Sequence, residues 1–169
     1  LGNVPAKASI TLKIPGYRKT QVDVSGVAQR DIKLTPFLVK GIHLPFGITE
    51  ERWRQVVDLI SNTELNAVVI DVKAERGRLM WESQVPLAKQ IGAAYLQQGV
   101  DLKRVVEDCK TRDIYCIARV PVFQDNLLAS SRPNLAARLA NGTVFTETGG
   151  QQWLNPFLSD NWNYVIALA

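Results

Sequence analysis

The chain has 169 residues, 46% of them apolar and 21% charged, which is typical of a globular protein rather than a disordered one. Its net charge of +4 comes from basic residues scattered among acidic ones, without a Lys/Arg run that could follow a nucleic-acid backbone. No apolar stretch approaches the roughly 20 residues of a membrane-spanning helix. These features argue against a nucleic-acid partner and against a membrane span in this segment.

The first 36 residues predict a small antiparallel β module. Three short alternating runs, Ala8–Ile14, Gln21–Val24 and Asp31–Leu34, are separated by Pro-Gly and Ser-Gly turns. The pattern resembles the small β-sandwich repeats attached to bacterial envelope proteins. Pro36 marks the boundary, so we predict one domain over residues 1–36 and a second over residues 37–169.

The second domain repeats one order, a β-rich apolar run followed by an amphipathic helix. The runs are Val39–Leu44, Ala67–Val72 and Ile114–Val120. The helices should begin near three residues suited to cap a helix: Thr49, Asp101 and Asp160. Their apolar stripes are Trp53/Val56/Val57/Ile60, Leu102/Val105/Val106/Cys109 and Trp162/Val165/Ile166/Ala169. This order predicts an α/β fold with three adjacent parallel strands, the first three βα units of a TIM (β/α)8 barrel.

A complete barrel of this kind needs about 250 residues, more than this chain can supply. The chain also begins with Leu1 and ends on an apolar helical pattern. We therefore expect it to be a piece of a longer polypeptide.

Two strand-to-helix connections, Lys73–Val100 and Pro121–Ser159, are far longer than usual. The first should contain a short helix around Pro86–Leu96. Both lie on the face where barrel enzymes assemble their sites.

The alternation of side chains along a strand directs Asp71 and Arg119 to the same mouth of the sheet, at equal heights. The same alternation places Lys73 and Glu75 near that face, and it predicts that Gly41 and His43 of the first strand line the lumen of the barrel. The alternate residues should pack on the helices: Ile42, Leu44, Val68, Ile70, Val72, Cys116, Ala118 and Val120.

A carboxylate beside Lys73 and Arg119 would be held ionised, a state suited to a nucleophile, a base or an acceptor of sugar hydroxyls. The alternative is a structural ion cluster that closes the top of the sheet, with His43 as a rim residue. Trp81 and Trp153, in the long loops, either stack on sugar rings or anchor their loops. We expect Phe157 to be an anchor.

One histidine and two separated cysteines give no metal-ligand spacing, and no glycine-rich phosphate loop is present. The sequence therefore predicts neither a metal nor a cofactor. Cys109 and Cys116 fall on a helix and a strand that could face each other. We predict buried free thiols, and a disulfide remains the alternative.

Several spaced motifs resemble the family known as "putative glycosyl hydrolase domain" of bacterial proteins, over about residues 38–169. They are Val39–Ile42, Leu65–Lys73, Gly77-Arg78, Val85–Ala88, Ile117–Val120 with Phe123 and Asp125, Arg132-Pro133, and Trp153–Pro156. The resemblance implies a TIM barrel related to sugar-processing enzymes, with carbohydrate as partner and acid/base hydrolysis of a glycosidic bond as reaction. Catalysis would rest on Asp71 and Arg119. Substrate contacts would come from Lys73, His43, Glu75, Trp81 and Trp153.

Members of this family continue into a fourth strand with a further acidic motif, which this chain does not reach. A glycosidase needs two carboxyl groups, and beyond Asp71 the sequence offers Glu75 or Asp125. Glu75-Arg76 also stands where the family tends to have an acidic pair.

The resemblance further implies an extracytoplasmic or envelope-associated protein, partnered by the rest of its own polypeptide or by an envelope component. The rival interpretation is a non-catalytic carbohydrate-binding or structural subunit of an envelope assembly.

Overall fold

A mixed α/β fold is seen in the computed structural model, which describes residues 7–26, 29, 31–94 and 99–169. The chain divides into two compact units, Leu1–Lys40 and Gly41–Ala169. The elements are β1 (Ser9–Leu12), β2 (Thr20–Asp23), β3 (Gly41–Leu44), α1 (Glu50–Ser61), β4 (Ala67–Asp71), α2 (Pro86–Gln90), α3 (Leu102–Thr111), β5 (Tyr115–Arg119), α4 (Asn126–Ser131) and α5 (Ser159–Leu168).

The first unit contains a two-stranded antiparallel sheet in which β1 pairs with β2. The third predicted run, Asp31–Leu34, forms no strand, so that part of the prediction is wrong. Backbone hydrogen bonds from Arg18 N to Thr35 O and from Phe37 N to Gly16 O instead hold the end of this segment against the turn after β1. The turn therefore provides the hydrogen-bond partners that a neighbouring strand would have provided to a third strand.

The second unit is built on a parallel sheet with the order β3-β4-β5. Gly41 lies opposite Ala67, and Ala67 lies opposite Tyr115. The prediction of adjacent parallel strands in chain order is confirmed. The central strand β4 is short and rich in Val and Ile, whose branched side chains suit a pleated surface with buried neighbours.

Helices α1 and α3 cover one face of this sheet and enclose the main apolar core. The predicted stripe of α1 is fully buried, with Trp53, Val56, Val57 and Ile60 each 5% exposed or less. The predicted helix-facing strand residues join the same core except for Ala118, which is exposed. Each fully buried aliphatic or aromatic side chain contributes about 1.5–3 kcal/mol, so this layer dominates the stability of the unit.

The starts of α1 and α3 follow the sequence prediction. Thr49 Oγ1 accepts a hydrogen bond from Arg52 N at 3.1 Å, and Asp101 Oδ1 accepts one from Lys103 N at 3.0 Å. Asp160 does not cap α5, because it lies inside the first turn and Leu158 occupies the cap position. The predicted cap at Asp160 is wrong.

The buried face of α5 is also different from the predicted one. Asn161 and Tyr164 are buried, whereas Trp162 is 48% and Ile166 is 71% exposed. The Asn161 amide donates to Leu135 O at 2.9 Å and to Asn155 O at 2.8 Å. Because this buried amide pairs with loop carbonyls, it fixes the rotation of the helix against the expectation from apolar periodicity.

Two short helices lie within the long connections. α2 begins at Pro86 as predicted but ends at Gln90, earlier than predicted, and residues 95 and 96 of the predicted helix lie outside the described residues. α4 was not predicted; it is capped by Asp125, whose Oδ1 accepts from Leu128 N at 2.9 Å. A second apolar cluster joins these connections to α5: Leu79, Ala88, Ala93, Leu128, Ala129, Leu135, Ala136, Leu154 and Tyr164.

On the sheet face opposite α1 and α3, Ala67 and Asp71 of the central strand are buried, whereas residues of β3 and β5 are exposed. His43, Tyr115 and Arg119 are all exposed there. Among the described helices, none has the length and apolar character needed to cross a bilayer.

Candidate functional site

Asp71 is the last residue of β4, and each neighbouring strand brings one polar side chain to its carboxylate. Arg119, the last residue of β5, lies directly opposite Asp71 in the parallel register. Its Nη1 donates to Asp71 Oδ1 at 2.8 Å. His43 Nε2 lies 3.0 Å from the same oxygen. The predicted contact between Asp71 and Arg119 is confirmed, and His43 extends it across the sheet.

The charge state of Asp71 follows from these contacts. Burial acts to raise the pKa of Asp71, but the hydrogen bonds from Arg119 and His43 outweigh it and hold the pKa below its usual value. An ionised carboxylate can only accept hydrogen bonds, so His43 Nε2 carries the proton in this contact. Asp71 is thus an oriented anion at neutral pH.

Glu75 provides a second carboxylate next to Arg119. Its Oε1 lies 3.8 Å from Arg119 Nη2, and its side chain is 45% exposed. Gln151 Nε2 donates to Glu75 Oε2 at 3.3 Å, and Gln124 Nε2 donates to Gln151 Oε1 at 2.7 Å. One guanidinium therefore stands between two carboxylates. We call His43, Asp71, Glu75 and Arg119 the strand-end cluster.

Lys73 does not belong to this cluster, and its predicted contact with substrate is wrong. Its side chain is fully buried, and its Nζ lies 3.2 Å from Asp125 Oδ2. The ammonium also donates to Pro121 O at 3.0 Å and to Gln124 O at 2.9 Å. Burial lowers the pKa of Lys73, and the charge of Asp125 partly offsets this effect.

The physical reason for this error lies in where β4 ends. After Asp71 the chain turns back on itself, with Ala74 N bonded to Arg78 O at 2.7 Å and Met80 N bonded to Val72 O at 2.9 Å. Side-chain alternation holds only within an extended strand, so it could not be continued to Lys73.

The ion pair with Lys73 argues against Asp125 as a second catalytic carboxylate. Asp125 is fully buried, with one oxygen on Lys73 and the other capping α4. Gly77 makes room for it: the residue has φ +93, and a side chain there would collide with Asp125 Oδ1. The ion pair fastens the loop after β4 to the loop after β5. Of the two alternatives for a second carboxylate, Glu75 is the exposed one.

The loop aromatics divide into packed and exposed residues. Trp81 packs against both apolar clusters, an arrangement that favours the anchoring alternative. Trp153 is half-buried, and its Nε1 donates to Glu147 Oε2 at 3.1 Å. Trp153 lies two residues from Gln151, which touches Glu75. Phe157 is 88% exposed, so the prediction that it anchors its loop is wrong.

Sequence reasoning missed Gln124 and Gln151. Both lie in the Pro121–Ser159 connection, and an isolated bridge between Gln124 and Trp153 aligns two distant parts of it. No periodic pattern marks such a contact in a long loop. Among the described residues, no group of three His, Cys, Asp or Glu side chains is arranged to hold a metal ion.

Residues 41–169 match the family model described as "Putative glycosyl hydrolase domain". The chain belongs to this family. A hypothetical protein from Ruminiclostridium thermocellum ATCC 27405, known from its crystal structure, is 32% identical to it with a TM-score of 0.67. The match covers 74% of this chain and 66% of that chain.

A glycoside hydrolase family 20 β-N-acetylglucosaminidase shares the fold at 14% identity, with a TM-score of 0.55. That match covers 99% of this chain and 44% of the other. The chain thus spans less than two thirds of the length of each of these two structures. No curated protein is significantly similar to it.

The contacts of Asp71 predict that the stability of this domain depends on pH in the acid range. The folded-state pKa of Asp71 is depressed, so the ionised group contributes stability that is present above about pH 4 and lost as the pH falls through the folded value. We expect the difference in unfolding free energy between wild type and Asp71→Asn to shrink as pH falls below about 4. Denaturant titrations of both proteins at several pH values measure it. A difference that stays constant with pH would contradict the ionised state.

Proposed function

We propose that this domain supplies part of the active site of a glycoside hydrolase, and that the parallel sheet forms the first strands of a TIM barrel. The observation that carries the proposal is the strand-end cluster, which holds two carboxylates on one guanidinium at the carboxyl ends of β4 and β5. Catalytic residues of (β/α)8 enzymes come from this end of their strands. Family membership supports the same reading.

Each residue of the cluster receives a role in this proposal. Asp71, ionised and oriented, is the nucleophile or base, and Arg119 keeps it anionic and correctly placed. Glu75 is the partner carboxylate that hydrolysis of a glycosidic bond requires. His43, half-exposed beside Asp71, contacts a sugar hydroxyl. Trp153 offers an aromatic face to a sugar ring two residues from the Gln151 contact.

The substrate class is a polysaccharide or cell-envelope glycan, and the protein acts outside the cytoplasm or at the envelope. The rival function is a non-catalytic carbohydrate-binding or structural subunit. The half-exposed aromatic and polar side chains are equally compatible with this rival function, since a carbohydrate-binding site uses the same groups as an active site. The carboxylate pair favours the enzyme, because hydrolysis of a glycosidic bond requires two carboxyl groups and binding alone does not.

A polysaccharide panel tests the proposal on the longer protein that contains this domain. We expect release of reducing ends from at least one glycan. Binding to a glycan without turnover would establish the rival, and neither binding nor turnover across the panel would contradict both.

A second prediction concerns the activity of the 169-residue chain alone. A glycosidase barrel collects its catalytic groups from the ends of several strands, and this chain brings three parallel strands. We therefore expect residues 1–169 to show no turnover on a glycan that the longer protein hydrolyses. Equal turnover by both proteins would show that no further strands are needed.

A further inference from the structure

Glu75 lies beyond the end of β4, so the sheet does not fix the direction of its side chain. Arg119 Nη2 lies 3.8 Å from Glu75 Oε1, which is an ion-pair distance and too long for a hydrogen bond. Gln151 Nε2 donates a hydrogen bond to the other oxygen, Glu75 Oε2, at 3.3 Å. The contact with Gln151 therefore decides where this half-exposed carboxylate stands.

The amide of Gln151 is itself oriented by Gln124. Gln124 Nε2 donates to Gln151 Oε1 at 2.7 Å. Because this bond occupies the oxygen of the Gln151 amide, the amino group is the end that faces Glu75. The three side chains thus form one directed row of hydrogen bonds.

The backbone on either side of Gln151 is held by the first residue of α4. The side-chain amide of Asn126 donates to Gly150 O at 2.7 Å and accepts from Gln152 N at 3.0 Å. Gly149 and Gly150, with φ of 96 and 80, close the turn that precedes Gln151, a conformation that glycine adopts without strain. Gln151 therefore meets Glu75 from a fixed backbone.

The other two members of the row are anchored nearby. Leu127 N, also in α4, donates to Arg76 O at 3.2 Å and so holds the residue next to Glu75. The buried ammonium of Lys73 donates to Gln124 O at 2.9 Å. The row is thus set in place by contacts that do not involve the strand ends.

We infer that Gln151 is a positioning residue for hydrolysis, and that Gln124 and Gln151 form an amide relay which fixes the carboxylate of Glu75. The relay occupies Glu75 Oε2 and leaves Oε1, on the side of Arg119, for the substrate. A displacement of about 1 Å in a reacting group can cost about 10²-fold in rate. Glu75 is the second carboxylate of the proposed function, and the role of the relay rests on that proposal.

Side-chain amide NMR signals of the 169-residue chain report the relay without requiring activity. Gln151→Met and Gln124→Met each remove one pair of signals and so assign them. We expect Glu75→Gln to move the Gln151 signals upfield, because a hydrogen bond to a carboxylate is stronger than one to a neutral amide. The Gln152 side chain accepts from Ser130 Oγ at 3.0 Å, so its signals should change far less. Gln151 signals that stay in place would overturn the inference.

Kinetics of the longer protein test the positioning role. Gln151→Met keeps a similar side-chain length and removes the donor, so kcat should fall about 10- to 100-fold with KM little changed. Gln124→Met leaves the Gln151 side chain in place but frees its amide, so the loss should be smaller and in the same direction. Gln152→Met is the matched control and should keep the wild-type kcat. The backbone NMR spectrum of each variant in the 169-residue chain reports whether it folds.

The outcomes separate the role of the relay from the proposed function. Turnover by wild type with an unchanged kcat in Gln151→Met would overturn the positioning role alone. A rise in KM with kcat unchanged would do the same, since it would assign Gln151 to substrate binding. No turnover by wild type would contradict the proposed function, and the catalytic role of the relay with it, whatever the NMR signals show.

Discussion

Replacing Asp71 by Asn should lower glycoside hydrolysis by the longer protein about 10²- to 10⁴-fold, the range that a positioned acid or base contributes. The substitution keeps the volume of the side chain and removes only its charge. Asn can still accept a hydrogen bond from Arg119, so the strand ends should stay in place. The loss should therefore appear in kcat while the circular dichroism spectrum remains unchanged.

Asp58→Asn is the matched control for this experiment. Asp58 is an exposed aspartate of α1, on a helix that covers the opposite face of the sheet from the strand-end cluster. The same chemical change there should leave activity at the wild-type level. A fully active Asp71→Asn protein would contradict the catalytic role and bring the carbohydrate-binding function forward.

Replacing Lys73 by Met should lower the free energy of unfolding by about 3–5 kcal/mol, the usual cost of breaking a buried ion pair on one side. Methionine fills a similar volume but leaves the Asp125 carboxylate buried without its cation. It also leaves the carbonyls of Pro121 and Gln124 without their donor. Denaturant unfolding followed by circular dichroism gives the value.

Two further variants separate the effect of the lost charge on stability from the effect of changed packing. Lys103→Met, at an exposed position of α3, should change stability by no more than about 0.5 kcal/mol. Lys73→Met/Asp125→Asn should recover part of the loss, because it removes the stranded charge and keeps the oxygen that caps α4. Equal stability of Lys73→Met and wild type would show that the pair contributes nothing.

The geometry at the ends of the strands could be predicted because it depends on local rules. Apolar β-rich runs alternate with helical stripes, which fixes the strand order, and alternation within a strand directs Asp71 and Arg119 to the same side. The meeting of these two side chains needs no information from the loops. Their catalytic role stays a prediction.

The errors arise where a contact distant in sequence decides the outcome. Lys73 lies two residues beyond the end of β4, and its partner Asp125 comes from a loop about 50 residues later. The predicted rotation of α5 was wrong for the same reason. Asn161 hydrogen-bonds to carbonyls of a loop, and this contact rather than the apolar stripe decides which face of the helix is buried. Such pairs leave no periodic signal in one sequence.

The solvent exposure of Arg119 affects how strongly the strand-end cluster holds its charges. Water reaches the Arg119 guanidinium and weakens its attraction to Asp71 and Glu75. The interaction scales inversely with the effective dielectric constant, which is about 80 in water and about 20 near a protein surface. In the proposed barrel, a sugar bound at the carboxyl ends of β3, β4 and β5 would displace that water and strengthen these contacts. Occupation of this site would therefore strengthen the electrostatic organisation of the strand-end cluster.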